Sequence, residues 1–135
     1  MSSYGKVALV ARRLLVEREG LDPREAWDDA ARLIFPSSPS CQKKGCPRAA
    51  FLGLCEEGLV KGVTRGTYTR SRKNKGYALK AVELLTEDPT LVQCKARLWE
   101  RVVYPQSKAH NDQMDVVLAL WHKRLLLVTP CIGSR

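Results

Sequence analysis

Apolar residues recur at helical spacing along this chain, in stretches cut short by proline or glycine, and no other feature limits the fold as much. Val7, Val10, Ala11 and Leu14 fall at i, i+3, i+4 and i+7, one face of a helix predicted over residues 4–19. Gly20 supplies a left-handed position to end it, and Leu21 is the apolar residue that often follows. Asp22, Pro23 and Glu25 make the clearest start signal: a cap, a proline at the first helical position and an acid three residues after the cap. Trp27, Ala30, Ala31 and Ile34 then form a buried stripe, and Pro36 and Pro39 stop it.

Residues 37–45 read as a polar loop, with Pro47 opening a third helix whose inner face is Ala50, Phe51 and Leu54 and whose stop is Gly58. Gly62, Gly66 and the threonines of residues 60–71 argue against a helix there, leaving a long loop or a short β-hairpin. A fourth helix is expected over residues 74–85, with Tyr77, Ala78, Ala81 and Leu85 inward. Asp88-Pro89 repeats the cap-and-proline start for a fifth, carrying Val92, Ala96, Trp99 and Val103 and ended by Tyr104-Pro105. Asn111 is expected to cap a sixth, with Met114, Val117, Leu118 and Trp121 on one face. The sum is an all-α fold of five or six helices in one domain, residues 1–128, followed by a flexible C-terminal tail, residues 129–135. The residues after the two Asp-Pro starts do not align, so no repeat is read.

No apolar run approaches the roughly 20 residues of a membrane span, so no membrane partner is expected. Arg12 and Arg13 interrupt the first apolar stretch, which therefore does not read as a secretory signal. The five cysteines are odd in number and do not space as a disulfide framework, which points to a reducing cytoplasm.

The stretches FPSSPSCQKKGCPRAAFLGLCEEGLVKGV, YTRSRKNK and HNDQMDVVLALW resemble small bacterial hypothetical proteins of a domain-of-unknown-function family. The likeness spans residues 4–121. It implies a helical protein of the bacterial cytoplasm and carries over no activity and no catalytic residue.

Charge is the strongest functional signal. The net +9 is concentrated in residues 41–80, which hold ten Lys/Arg against two Asp/Glu. Lys61, Arg65, Arg70, Arg72, Lys73, Lys75 and Lys80 lie in a stretch without an acidic residue, around Tyr68 and Tyr77. Such clusters bind phosphate backbones, and interleaved tyrosines can stack on bases. A helix followed by an Arg-rich hairpin would also suit a winged helix-turn-helix, by analogy alone. The bland alternative is a solvated loop. A second anion site is expected where Ser37, Ser38, Ser40, Lys43, Lys44 and Arg48 surround the third helix start, since unpaired amides and the helix dipole attract anions. Serines and prolines are equally the ordinary content of a linker.

Catalytic signals are thin. Ser40 to Lys43 matches S-x-x-K, a motif of much larger folds, and is discarded. Cys41, Cys46 and Cys55 are spaced C-x4-C-x8-C and His110 and His122 are remote, so no metal or cofactor is expected. Cys46 precedes a helix start, where a thiolate is favoured, and His110 can titrate near neutrality beside Asp115. Glu56 and Glu57 diverge by about 100° on a helix and are expected to decorate an exposed face. The three tryptophans fall on inward stripes. The leading expectation is a non-enzymatic protein that binds nucleic acid or a phosphate-bearing ligand. An interaction module for an acidic protein or a small homo-oligomer comes second, and a small enzyme using His110, Asp115 or Cys46 third.

Overall fold

The computed structural model describes residues 2–128, and the expected tail at 129–135 lies outside them. Its helices are α1 (Ser3–Glu17), α2 (Pro23–Ile34), the single turn α3 (Pro39–Gln42), α4 (Gly45–Glu56), α5 (Arg72–Glu87), α6 (Lys95–Val103) and α7 (Gln113–His122). A 3-10 turn, Pro89–Gln93, precedes α6. Six of these helices are nine residues or longer, and the described residues contain no strand, so the fold is all-α.

Local chemistry sets most of the helix starts. Ser2 Oγ accepts the Gly5 amide at 3.1 Å, Asp22 Oδ1 the Arg24 amide at 2.8 Å and Ser71 Oγ the Asn74 amide at 3.3 Å. Pro47 stands third in α4 rather than first, because the helix begins at Gly45. Asp88-Pro89 opens the 3-10 turn, and the α-helix begins only at Lys95, which leaves Ala96 exposed.

Helix α4 is apolar nearly all round, as a helix surrounded by protein must be. It packs on α5, α7 and α2, while α7 also meets α1, α5 and α6. Trp27 and Phe51 meet at 5.3 Å between ring centroids where α2 crosses α4. Gly53 permits the closest approach: a β-carbon there would lie 2.7 Å from the Lys75 β-carbon and 2.8 Å from its α-carbon.

Helices α4 and α7 end alike. After α4 the amides of Gly58 and Leu59 donate to Cys55 and Leu54; after α7 those of Arg124 and Leu125 donate to Trp121 and Leu120. Both sets follow the Schellman pattern, which needs a left-handed residue. Gly58 supplies it at φ 72° and Arg124 at φ 58°. The two exits then pair antiparallel at Val60 and Leu126, with Lys61 N donating to Leu125 O at 2.8 Å and Leu127 N to Leu59 O at 2.7 Å.

That bridge is all the β-structure among the described residues, and the hairpin considered for residues 60–71 does not form. Past the turn at Lys61-Gly62 the chain runs without helix or strand to Ser71. Its amides at Gly66, Tyr68 and Thr69 are satisfied by Glu56 instead of by a partner strand.

Candidate functional site

The basic stretch is held by one carboxylate. Glu56 closes α4 and is buried, not exposed as its position beside Glu57 suggests. Its Oε1 accepts the amides of Tyr68 at 2.7 Å and Thr69 at 3.2 Å, its main-chain oxygen accepts that of Gly66 at 3.3 Å, and its Oε2 pairs with Lys75. Lys75 also reaches Glu57 at 2.7 Å. The Lys75 ammonium, reinforced by the Tyr68 and Thr69 amides, brings the Glu56 carboxyl down to about 2. The same contacts, Glu56 first and then Glu57, raise Lys75.

Lys75 is therefore not part of a binding face. Its place was legible, since Lys75 lies three and ten residues before the inward Ala78 and Leu85, on the buried stripe of α5. Arg72 lies 3.9 Å from Glu56, and Lys80 pairs with Glu83 at 3.1 Å. Four cations of the stretch remain: Lys61, Arg65, Arg70 and Lys73 are exposed, with no ion pair among the described residues. Arg65 lies near enough to Glu57 to help lower its carboxyl, behind the larger effect of Lys75.

Both tyrosines are engaged within the fold. Tyr68 turns its hydroxyl back onto Thr64 O at 2.6 Å, and Tyr77 packs edge-on against Trp99 with centroids 5.1 Å apart. The residue missed by sequence reading is Arg12. From the third turn of α1 its Nε donates to Lys61 O at 3.0 Å, and nothing in residues 4–19 foretells that contact.

The serine-lysine loop is more fully occupied. It folds into α3, where Ser38 Oγ accepts the Cys41 amide and touches Ser40 Oγ at 3.5 Å. Lys44 pairs with Asp112 and lies over the Tyr4 ring, and Arg48 pairs with Asp28 at 2.9 Å. Ser37, Ser40 and Lys43 are exposed. A shallow cleft of about 380 Å³ lies here, lined by Asp28, Arg32, Gln42, Lys43, Gly45 and Arg48, and two of its arginines already face aspartates.

At the entrance of α7 the cap is not Asn111. His110 Nε2 accepts the Met114 amide at 3.0 Å, with its ring edge-on to Trp99. Burial lowers the His110 pKa. Asp115 is buried against Lys95 at 2.6 Å, and burial, with the neighbouring Asp112, raises its carboxyl. Each of these polar groups is thus engaged by a neighbour, and Cys46 lies partly buried in α4 away from them. No group of three His, Cys, Asp or Glu among the described residues is placed to hold a metal ion, and no helix there is long and apolar enough to cross a membrane.

A family model described as a family of unknown function (DUF6979) matches residues 1–127. No curated protein and no solved structure matches the chain.

Proposed function

The chain belongs to this family of unknown function, DUF6979, and from its own geometry we propose that it binds the phosphate backbone of nucleic acid through Lys61, Arg65, Arg70 and Lys73. One observation carries this reading: the irregular stretch between α4 and α5 is pinned at Gly66, Tyr68, Thr69 and Lys75 by Glu56, while its four remaining cations face solvent unpaired. A pinned backbone presents those charges at lower entropic cost than a mobile loop would. With Tyr68 and Tyr77 engaged, contacts are to phosphates and not to bases, so affinity depends strongly on salt and weakly on sequence. The bacterial cytoplasm implied by the sequence resemblance supplies both DNA and RNA.

The test is fluorescence anisotropy with labelled 20-nucleotide duplex and single-stranded DNA between 50 and 300 mM salt. Four phosphate contacts predict a log–log slope of about −3 to −4 for duplex. The quadruple variant K61E/R65E/R70E/K73E is expected to lose binding while keeping its helical circular dichroism. Absence of salt-dependent binding by the wild-type chain overturns the reading.

A further inference from the structure

We infer that the nucleic-acid surface continues onto the exit of α7, where Arg124 is a phosphate-binding residue placed beside Lys61 and Arg12. The inference rests on the function proposed above and extends it to residues outside the basic stretch.

The observation behind it is a difference between two equivalent positions. Helices α4 and α7 end in the same hydrogen-bond pattern, and their exits pair with each other. At the left-handed position α4 has Gly58, which adopts it freely, and α7 has Arg124. An L-residue with a β-carbon is disfavoured in that conformation, because the β-carbon crowds the following carbonyl oxygen. The guanidinium of Arg124 offsets none of this through an ion pair among the described residues, and the residue is exposed. A strained backbone position that carries an unpaired charged side chain points to a use for that side chain outside the fold.

The surroundings indicate what it meets. Because Lys61 N donates to Leu125 O, Arg124 lies across the bridge from Gly62, the residue after Lys61. On the α1 side of Gly62, an Arg12 guanidinium nitrogen lies 3.5 Å from where a β-carbon would stand. Gly62 itself is exposed and at φ 81°, with Val16 Cγ2 2.9 Å from where its β-carbon would stand and Arg12 donating to the neighbouring Lys61 O. Lys123, the preceding residue, is exposed as well. Guanidinium groups match phosphate geometry through paired N–H donors, and this joint lies at the Lys61 end of the four-cation stretch. A phosphodiester chain crossing the stretch would run onto Arg124.

Arg124→Gly tests this directly, because glycine suits the left-handed position and only the side chain is removed. Arg124→Gln is the second variant, keeping an extended side chain without charge. Each is titrated with the labelled 20-base-pair duplex across the same salt range, and each is unfolded in urea. The expected result is binding about five- to tenfold weaker at 0.1 M salt, with the salt slope shallower by about 0.9. The urea midpoint of Arg124→Gly is expected to equal or exceed that of the wild type. Wild-type affinity and slope in both variants would overturn the assignment of Arg124 while leaving the proposed function standing. A wild-type chain that binds no duplex or single strand at any salt overturns both. Poly-glutamate displacing the duplex at equal charge concentration overturns nucleic acid as the partner class in favour of an acidic protein.

Discussion

Lys75 and Glu56 form an ion pair whose side chains are only 10% and 8% exposed, and it joins the end of α4 to the first turn of α5. They stand 19 residues apart in sequence, too far for a contact within one helix. The pair therefore fixes how the intervening basic stretch lies on the surface, and the stretch's own amides close onto the same carboxylate.

Removing Glu56 leaves the buried Lys75 with only the exposed Glu57, and removing Lys75 leaves the buried Glu56 with the Tyr68 and Thr69 amides and Arg72 at 3.9 Å. Glu56→Gln and Lys75→Met should each destabilise the fold by about 3 kcal/mol in urea unfolding at pH 7. The Glu56 carboxyl lies at about 2 in the folded chain against an ordinary 4.5. Its contribution is complete above the unfolded value and is lost as pH falls from there through the folded one. A Glu56→Gln variant that matches the wild type in acid sensitivity between pH 5 and 2 would contradict this assignment.

Gly53→Ala is a conservative change on paper and should be a damaging one here. Alanine is the better helix former by about 1 kcal/mol, yet its β-carbon would meet the Lys75 α- and β-carbons well inside contact distance. Overpacking between α4 and α5 should win, with a net loss of about 2 kcal/mol in thermal or urea unfolding.

His110 should make stability depend on pH below neutrality. Its Nε2 must be unprotonated to accept the Met114 amide, and an imidazolium at the start of α7 would oppose the helix dipole. Burial lowers its pKa below the ordinary 6.5; Asp115 and Asp112 resist that shift, while Lys95 and Lys44 add to it. The unfolded chain thus takes up the proton first, so stability is complete above the unfolded value and declines as pH falls through the folded one. His110→Ala should cost about 1 kcal/mol at pH 7.5 and flatten the profile between pH 7.5 and 5. Urea midpoints at four pH values would reveal it, and an unchanged slope would rule the cap out.

Cys55 should be chemically silent until the chain unfolds. It is fully buried in α4, and burial pushes its thiol far above the ordinary range. Cys94 is exposed at the start of α6. Alkylation followed by peptide mass mapping should label Cys94 within minutes and Cys55 only in denaturant; labelling of both in the native state would contradict the packing of α4.

Much of the helical framework was readable because its signals are local. Asp22-Pro23 caps α2 as the sequence suggests, and the stripes of α1, α2 and α5 face the core. Misreadings arose where a distant group overrode a local signal. Asn111 has the chemistry of a cap, but His110 is the group that reaches Met114. The threonines and glycines of residues 60–71 suit a hairpin, but one buried carboxylate takes the amides that a ladder would use. Within the candidate site, composition located the charge, while spacing along α5 was needed to remove Lys75 from it. Arg12 and Arg124 carry no local signal at all, since their neighbourhood is made by contacts about 50 and 60 residues away in sequence.

The pairing of Val60 with Leu126 has a consequence for a chain made from its N-terminus onward. Glu56, Lys61 and Lys75 emerge early, yet Lys61 has no backbone partner at Leu125 until nearly the whole helical chain has been synthesised. Until then the proposed binding surface has only its moorings to Glu56 and Arg12, and Arg124 does not yet exist. Its full form is reached late in translation, so a nascent chain stalled before α7 would present the positive charge without the finished geometry.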